Sequence, residues 1–325
     1  MEFHVQIAGS LTAPEEIRIA ESLGYTGAWL GCSPALAGDA FTFLGLAAAR
    51  TERISLGLGV IVPHLRHIAD AATALLTLDA LAPGRVIAGV GSGFTSTALL
   101  NRRPVRWAQV EAYVAGLREL IAGREIDWDG TRFGLLHNGS LGIKTPGDVP
   151  IWVAAHGPKG LEIADRVADG VITSPVHGSR ITFTKGPSAV AFYGTVLEER
   201  ETLDSPRVLD AAGPGAALAL HLGAEGLGPL TGSEEEIGFS KKLADFPQER
   251  RMVEMHRRHT IGLSDLDRPF VTPNAIRKGT MTGTREEMRE TLKHFEATGA
   301  TTLIYGPFGS NVTRELEAFA DVAGL

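Results

Sequence analysis

Strand-like and helix-like runs alternate along the whole chain, and this alternation limits the possible folds more than any other feature of the sequence. Phe3–Ala8 reads as a strand. The helix after it carries Ile17, Ala20 and Leu23 as an apolar stripe. Thr12-x-x-Glu15 opens that helix as a capping box, with Pro14 just inside, and Gly24 stops it. Gly27–Cys32, Ile54–Val62 and Arg85–Gly91 read as the next strands, separated by Ala- and Leu-rich helices over 41–50 and 67–82. An amphipathic helix covers 104–122. Then follow a strand at Val149–Ala155, a helix over 159–169, a strand at Val171–Thr173, a strand near 188–197 and an Ala-rich helix near 206–222. Thr284-x-x-Glu287 caps a helix with Met288, Leu292 and Phe295 inward, and Thr301–Tyr305 is the eighth strand. Alternation of this kind implies a parallel sheet. Eight units without a break in composition favour a closed (β/α)8 TIM barrel, in the α/β class, over an open doubly wound sheet. No linker divides the chain, so residues 1–325 are expected to form a single domain. The stretches 123–148 and 231–280 read as insertions. The first holds the hairpin signal Asp129-Gly130, and the second is charged and lacks a strand pattern.

Bulk properties exclude several functions. The net charge of −7 argues against a general nucleic-acid or anionic-membrane binder. A single cysteine, Cys32, rules out an intramolecular disulfide and suits a reducing compartment. The N-terminal residues MEFHVQIAGS have neither a basic region nor a long apolar core, and the longest apolar runs are half a membrane span. A cytoplasmic protein with a small-molecule substrate is the expectation.

In a βα barrel, ligands meet the C-terminal ends of the strands. Of those ends, AAHGPKG (154–160) stands out. A strand is followed at once by a Gly-Pro turn and a helix, so backbone N–H groups and the positive helix end could receive a phosphate. A plain βα turn with Pro158 at the first helical position reads the same way. GVGSG (89–93) is a poor dinucleotide fingerprint, because Phe94 stands where the third glycine belongs; a glycine-rich strand end where Ser92 approaches a flat ligand fits better. His64 and His67 stand at i, i+3, as do His256 and His259, a spacing able to ligate zinc. No third ligand of a standard pattern follows, so no metal is expected, and MHRRH (255–259) reads as a solvated helix face. Cys32 reads as a small apolar wall residue, and Trp29 and Trp152 as core.

Three stretches together resemble the bacterial luciferase-like superfamily of flavin- and deazaflavin-dependent oxidoreductases. They are RISLGLGVIVPHLRH (53–67) with LDALAPGRVIAGVGSG (78–93), then VPIWVAAHGPKGLEIADRVADGVIT (149–173), then TGTREEMRETLKHFEATGATTLIYGP (282–307). The GPK loop and the VGSG strand end are most similar to coenzyme F420-dependent methylene-tetrahydromethanopterin reductases. The resemblance implies a dimeric barrel with the cofactor ring in its mouth. It implies that Ala155, His156, Gly157, Pro158 and Lys159 receive the cofactor phosphate, with Thr173 and Ser174 opposite. It also implies a cis peptide at Gly59–Val60 behind the ring, and cofactor contact at Ser92. Coenzyme F420 is the implied cofactor for hydride transfer to or from a small organic substrate. FMN in a monooxygenase is the alternative, and a cofactor-binding protein without catalysis a second. Two departures bear on the chemistry. Cys32-Ser33 stand where many deazaflavin members carry Asp-His, and Phe94 where the sugar-oxidising branch carries Glu. That leaves His64 as the candidate proton donor, His156 and His177 as weaker ones, and Cys32, Ser33, Leu65 and Phe94 as the candidate substrate pocket. Arg102, Arg103, Arg180 and Lys185 would form a basic rim for an acidic cofactor tail.

Overall fold

The structure, a computed structural model, describes residues 1–136, 141–173 and 181–325. The chain runs through β1 (Glu2–Ile7), α1 (Ala13–Ser22), β2 (Gly27–Leu30), α2 (Ala40–Ala48), β3 (Ser55–Ile61), α3 (Ile68–Leu81) and β4 (Val86–Gly91). Next come α4 (Thr95–Ala98), α5 (Trp107–Ile121), a hairpin of β5 (Ile126–Trp128) and β6 (Thr131–Phe133), β7 (Ile151–Ala154), α6 (Pro158–Val167), β8 (Gly170–Thr173) and β9 (Ser188–Tyr193). Helices α7 (Pro206–Ala224), α8 (Glu234–Leu243), α9 (Arg251–Met255), α10 (Pro273–Gly279) and α11 (Arg285–Ala297) precede β10 (Thr302–Gly306) and α12 (Val312–Ala323). Strands β1, β2, β3, β4, β7, β8, β9 and β10 are neighbours in that order and β10 returns to β1, so the sheet closes into the expected eight-stranded barrel. The β5–β6 hairpin turns at Asp129-Gly130, both with positive φ, inside the first predicted insertion.

The described residues fall into two compact units. The first comprises residues 1–136, 141–173, 181–190 and 299–303. Its strand register explains its large rings and its glycines together. His4 stands opposite Gly27, Trp29 opposite Gly57, and Trp152 opposite both Gly89 and Gly170. A Cβ at Gly27, Gly57 or Gly170 would lie 2.6 Å from His4, 2.4 Å from Trp29 and 2.7 Å from Trp152, closer than packed atoms can approach. Each ring therefore needs the glycine beside it. Trp29 Nε1 donates to His4 Nδ1 at 3.0 Å, and His4 stacks on Trp152. His4 is thus a packing residue of the barrel interior.

The two predicted capping boxes differ. Thr284 and Glu287 form one, with both reciprocal bonds present. Thr12 and Glu15 do not: Thr12 has helical φ and ψ, its hydroxyl pairs with Ser10 at 2.8 Å, and the Glu15 carboxylate grips Arg18. The Pro14 ring alone sets that helix start.

The second unit comprises residues 191–298 and 304–325. Val208, Ala212, Leu220, Phe239, Met255 and Ile276 form its apolar core. Helix α8 is capped by Ser233, with Glu234, Glu235 and Glu236 in its first turn and Lys241 and Lys242 in its last, matching the helix dipole. MHRRH is not a solvated helix face, as expected above. Helix α9 ends at Met255, His256 is only 5% exposed, and His259 is half-buried. Removal from water, reinforced by neighbouring rings, pushes His256 down to about 3 and His259 down to about 4. The third ring absent from the local pattern comes from α7: one nitrogen each of His221, His256 and His259 lie within 4.8 Å of one another.

Candidate cofactor and substrate site

All described parts of the candidate site belong to the first unit. Strand β7 delivers Ala155, whose N–H bonds Ile172 of β8 at 2.9 Å, and Thr173 closes β8 in a buried position. The chain then turns through exposed His156 and Gly157 into α6, with Pro158 at the first helical position and Lys159 exposed beside it. Gly157 occupies the N-cap position without any side chain to accept a bond from the first turn. Its Cβ position has nothing within 4 Å. An uncapped helix start facing open space is a ready anion receptor, because its first N–H groups have no partner within the helix. Three residues on, the constraint reverses. A Cβ at Gly160 would lie 2.4 Å from Trp107 and 2.9 Å from the Ala155 Cβ, so glycine here lets α6 sit close to the end of β7.

At the end of β3 the Gly59–Val60 peptide is cis, and the pairing with β4 shifts register between Leu58 and Ile61. Val60 Cγ2 lies 2.8 Å from where a Cβ of Gly91 would be, and the Ala154 Cβ 3.5 Å from it. Val60, Gly91 and Ala154 thus line up across three adjacent strand ends. Ser92 is half-buried, and its carbonyl accepts from Val105 N at 2.8 Å.

A cavity of about 270 Å³ opens beside β2 and β3. Cys32, Ser33 and Leu65 line it, with Asp39, Phe41 and Arg66. Phe94, half-buried at the start of short helix α4, does not line it. Neither does His64, which is exposed and whose carbonyl accepts from Arg102 Nη1 at 3.1 Å. Burial pushes the Cys32 thiol up to about 12, so at neutral pH it is a neutral wall residue and not a thiolate nucleophile. Its neighbour His67 is also accounted for: its Nδ1 accepts from Ala69 N at 3.2 Å and caps α3. Lys185 bonds the Asp165 carbonyl of α6. Ser174, His177 and Arg180 lie outside the described residues.

Arg66 is the cavity residue that sequence reasoning missed. Its guanidinium stacks 4.3 Å over the Phe41 ring, its Nε meets Asp70 at 2.8 Å and its Nη2 meets Asp39 at 3.3 Å. Its Nη1 is buried without a hydrogen-bond partner among the described residues. A desolvated, unpaired guanidinium N–H in a cavity wall is a donor available to a ligand oxygen. In the sequence Arg66 is masked by the histidines on either side of its neighbourhood; only its i, i+4 spacing to Asp70 is visible there.

This fold and these strand-end features define a barrel oxidoreductase class, and comparison with known proteins places the chain within it. The model of the luciferase-like monooxygenase family matches residues 12–184. The chain belongs to this family. It is 32% identical over 230 residues to an F420-dependent glucose-6-phosphate dehydrogenase of Beutenbergia cavernae, a match covering 65% of this chain and 67% of that protein. It is 26% identical to a 5,10-methylenetetrahydromethanopterin reductase of Archaeoglobus fulgidus, over 93% of this chain and 91% of the other. Among solved structures, the coenzyme F420-dependent tetrahydromethanopterin reductase of Methanopyrus kandleri superimposes with a TM-score of 0.72 at 16% identity, covering 98% and 97% of the two chains. That last likeness concerns the fold. No helix among the described residues is long and apolar enough to cross a membrane.

Proposed function

We propose that this protein is a coenzyme F420-dependent oxidoreductase that moves hydride between the deazaflavin and a small organic substrate, the whole chain 1–325 acting as one catalytic domain. The observation that carries the proposal is the uncapped start of α6 behind open Gly157, which suits the phosphate that F420 and FMN share. Preference for F420 draws on the relatives, two of which are named for F420-dependent or methylene-tetrahydromethanopterin reduction. FMN, in an oxygen-consuming monooxygenase, is the second reading, favoured by the family's name.

The bound deazaflavin would supply a hydride carrier that does not activate oxygen. The remaining work falls to this chain. First-turn N–H groups of α6, with Lys159 beside them, hold the phosphate. Val60, presented by β3 over Gly91, offers an apolar surface behind a flat ring, and Ser92 a polar contact at its edge. Thr173 and Ser174 face the phosphate from the next strand end. Cys32, Ser33 and Leu65 give the substrate cavity a largely apolar wall, and Phe94 an apolar flank. Arg66 Nη1 donates to a substrate oxygen, so the preferred substrate is small and carries a carbonyl or carboxylate. His64 is the proton-donor candidate, reached by rotation of an exposed side chain. A second copy of the chain is its proposed partner, as a homodimer, and the cytoplasm its proposed location.

Anaerobic mixing with reduced F420 and a panel of small carbonyl compounds tests the reading. Oxidation of F420 that depends on a carbonyl substrate is the expected result. Oxygen uptake with reduced FMN, and none of the F420 reaction, would reassign the chain to the monooxygenases.

A further inference from the structure

The second unit holds a group of side chains to which the oxidoreductase reading gives no task. His221 projects from α7, His256 follows α9 directly, and His259 lies in the turn beyond. His256 Nδ1 and His259 Nδ1 are 3.0 Å apart, and one nitrogen of each of the three rings lies within 4.8 Å of the others. His221 and His256 are buried, and His259 is half-buried.

The hydrogen bonds show what this cluster lacks. Asp267 Oδ1 lies 2.8 Å from His221 Nε2, while Asp267 Oδ2 accepts from Ser264 N at 3.0 Å and Ser264 Oγ at 2.6 Å. Burial opposes ionisation of Asp267, but the bonds from His221 and Ser264 outweigh it and hold its carboxyl below the usual value. A carboxylate only accepts, so His221 Nε2 carries the ring proton and Nδ1 carries a lone pair. That Nδ1 is buried with no partner among the described residues. His256 and His259 face each other Nδ1 to Nδ1, and one proton between two nitrogens satisfies a single bond. The cluster therefore presents surplus imidazole lone pairs to a common point and no donor to receive them.

A cation removes that deficit. With zinc–nitrogen bonds of 2.0–2.1 Å, tetrahedral ligand nitrogens stand about 3.3 Å apart, a spacing bracketed by the separations present here. Imidazole suits zinc and its neighbours among the divalent transition metals, whereas calcium and magnesium prefer oxygen. Asp267 stands where the carboxylate partner of a metal-bound histidine stands, fixing tautomer and ring orientation. We propose that His221, His256 and His259 form a binding site for one divalent transition-metal ion of the zinc class, with Asp267 positioning His221 and a fourth coordination place left for water. The ion would tie α7 to the segment after α9, two pieces of the unit distant in sequence.

The test uses the full chain stripped with a chelator and titrated with zinc alone. One zinc per chain at micromolar or lower concentration is expected, and cobalt in its place should give the intense visible absorption of a tetrahedral site. His259→Gln, at the least buried of the three positions, should lose at least 100-fold in affinity. Asp267→Asn should lose on the order of 10- to 100-fold. His294→Gln, on exposed α11, should bind as the parent does. The thermal midpoint should rise with zinc in the parent and in His294→Gln, but not in His259→Gln. If His259→Gln loses its far-ultraviolet circular dichroism, His256→Gln carries the same measurement. Absence of zinc binding by the folded parent, or equal affinity in parent and folded His259→Gln, overturns the proposal.

Discussion

In the first unit His64 and His156 stand exposed at strand ends and His67 caps α3 with its Nδ1. In the second unit His221, His256 and His259 pack ring against ring, with His221 held on Asp267. The exposed set lies in contiguous motifs, PHLRH and AAHGPKG, whose neighbours in sequence are also their neighbours in space. The buried set is assembled from a helix and a turn far apart in the chain. Local spacing describes the first arrangement and is blind to the second. The difference also separates two uses of a polar side chain. At the strand ends such groups are open to a ligand, whereas in the second unit they must be satisfied inside the protein.

Substitutions can break this contrast. The largest effect is expected at His221. In the metal-free protein, His221→Ala leaves the buried Asp267 carboxylate without its ring partner, which should lower unfolding stability by about 3 kcal/mol. His64→Ala, at an exposed position, should change it by less than ~0.5 kcal/mol. Urea unfolding of both variants provides the measurement, and a loss under ~1 kcal/mol at His221 would mean that its bond to Asp267 contributes little. Next is Cys32, where burial raises the thiol to about 12. Below that value the thiol stays protonated, so at pH 8 its alkylation should be on the order of 100-fold slower than that of a free cysteine and should accelerate only towards strongly alkaline pH. Alkylation at the free-thiol rate would show a wetter cavity wall. Smaller still is His67→Ala, which removes the α3 cap and should cost about 1 kcal/mol while leaving the 270 Å³ cavity in place.

The barrel was legible because its evidence is periodic. Each strand is a short apolar run beside a helix with one apolar face, and the eight observed strands fall within a few residues of the eight expected ones, the last being Thr302–Gly306 against an expected 301–305. Thr284 and Glu287 show how far a local rule reaches, and Thr12 and Glu15 show where it stops. The same spacing fails when Ser10 and Arg18 offer the two side chains better partners. The loop at Gly157 was readable for the same reason as the strands, since turn, N1 proline and helix are contiguous. Arg66 was not, because its use depends on Phe41 and Asp39, which another strand-end loop brings to it. Nor was the His221–His256–His259 cluster, because burial of a charged-looking run such as MHRRH depends on what the rest of the unit folds over it.

The central claim is that the start of α6 receives a deazaflavin phosphate, and isothermal titration of the parent and of Gly157→Asp with F420 and with FMN tests it most directly. The parent should purify colourless and bind F420 in the micromolar range, more tightly than FMN, with affinity falling as salt screens the charged tail. Gly157→Asp should stay folded, because its Cβ meets nothing within 4 Å. It should lose at least ~100-fold in affinity, since a carboxylate about 4 Å from a phosphate charge opposes binding by roughly 4 kcal/mol at the effective dielectric of a protein surface. Undiminished F420 affinity in folded Gly157→Asp, or a parent that prefers FMN, would contradict the account.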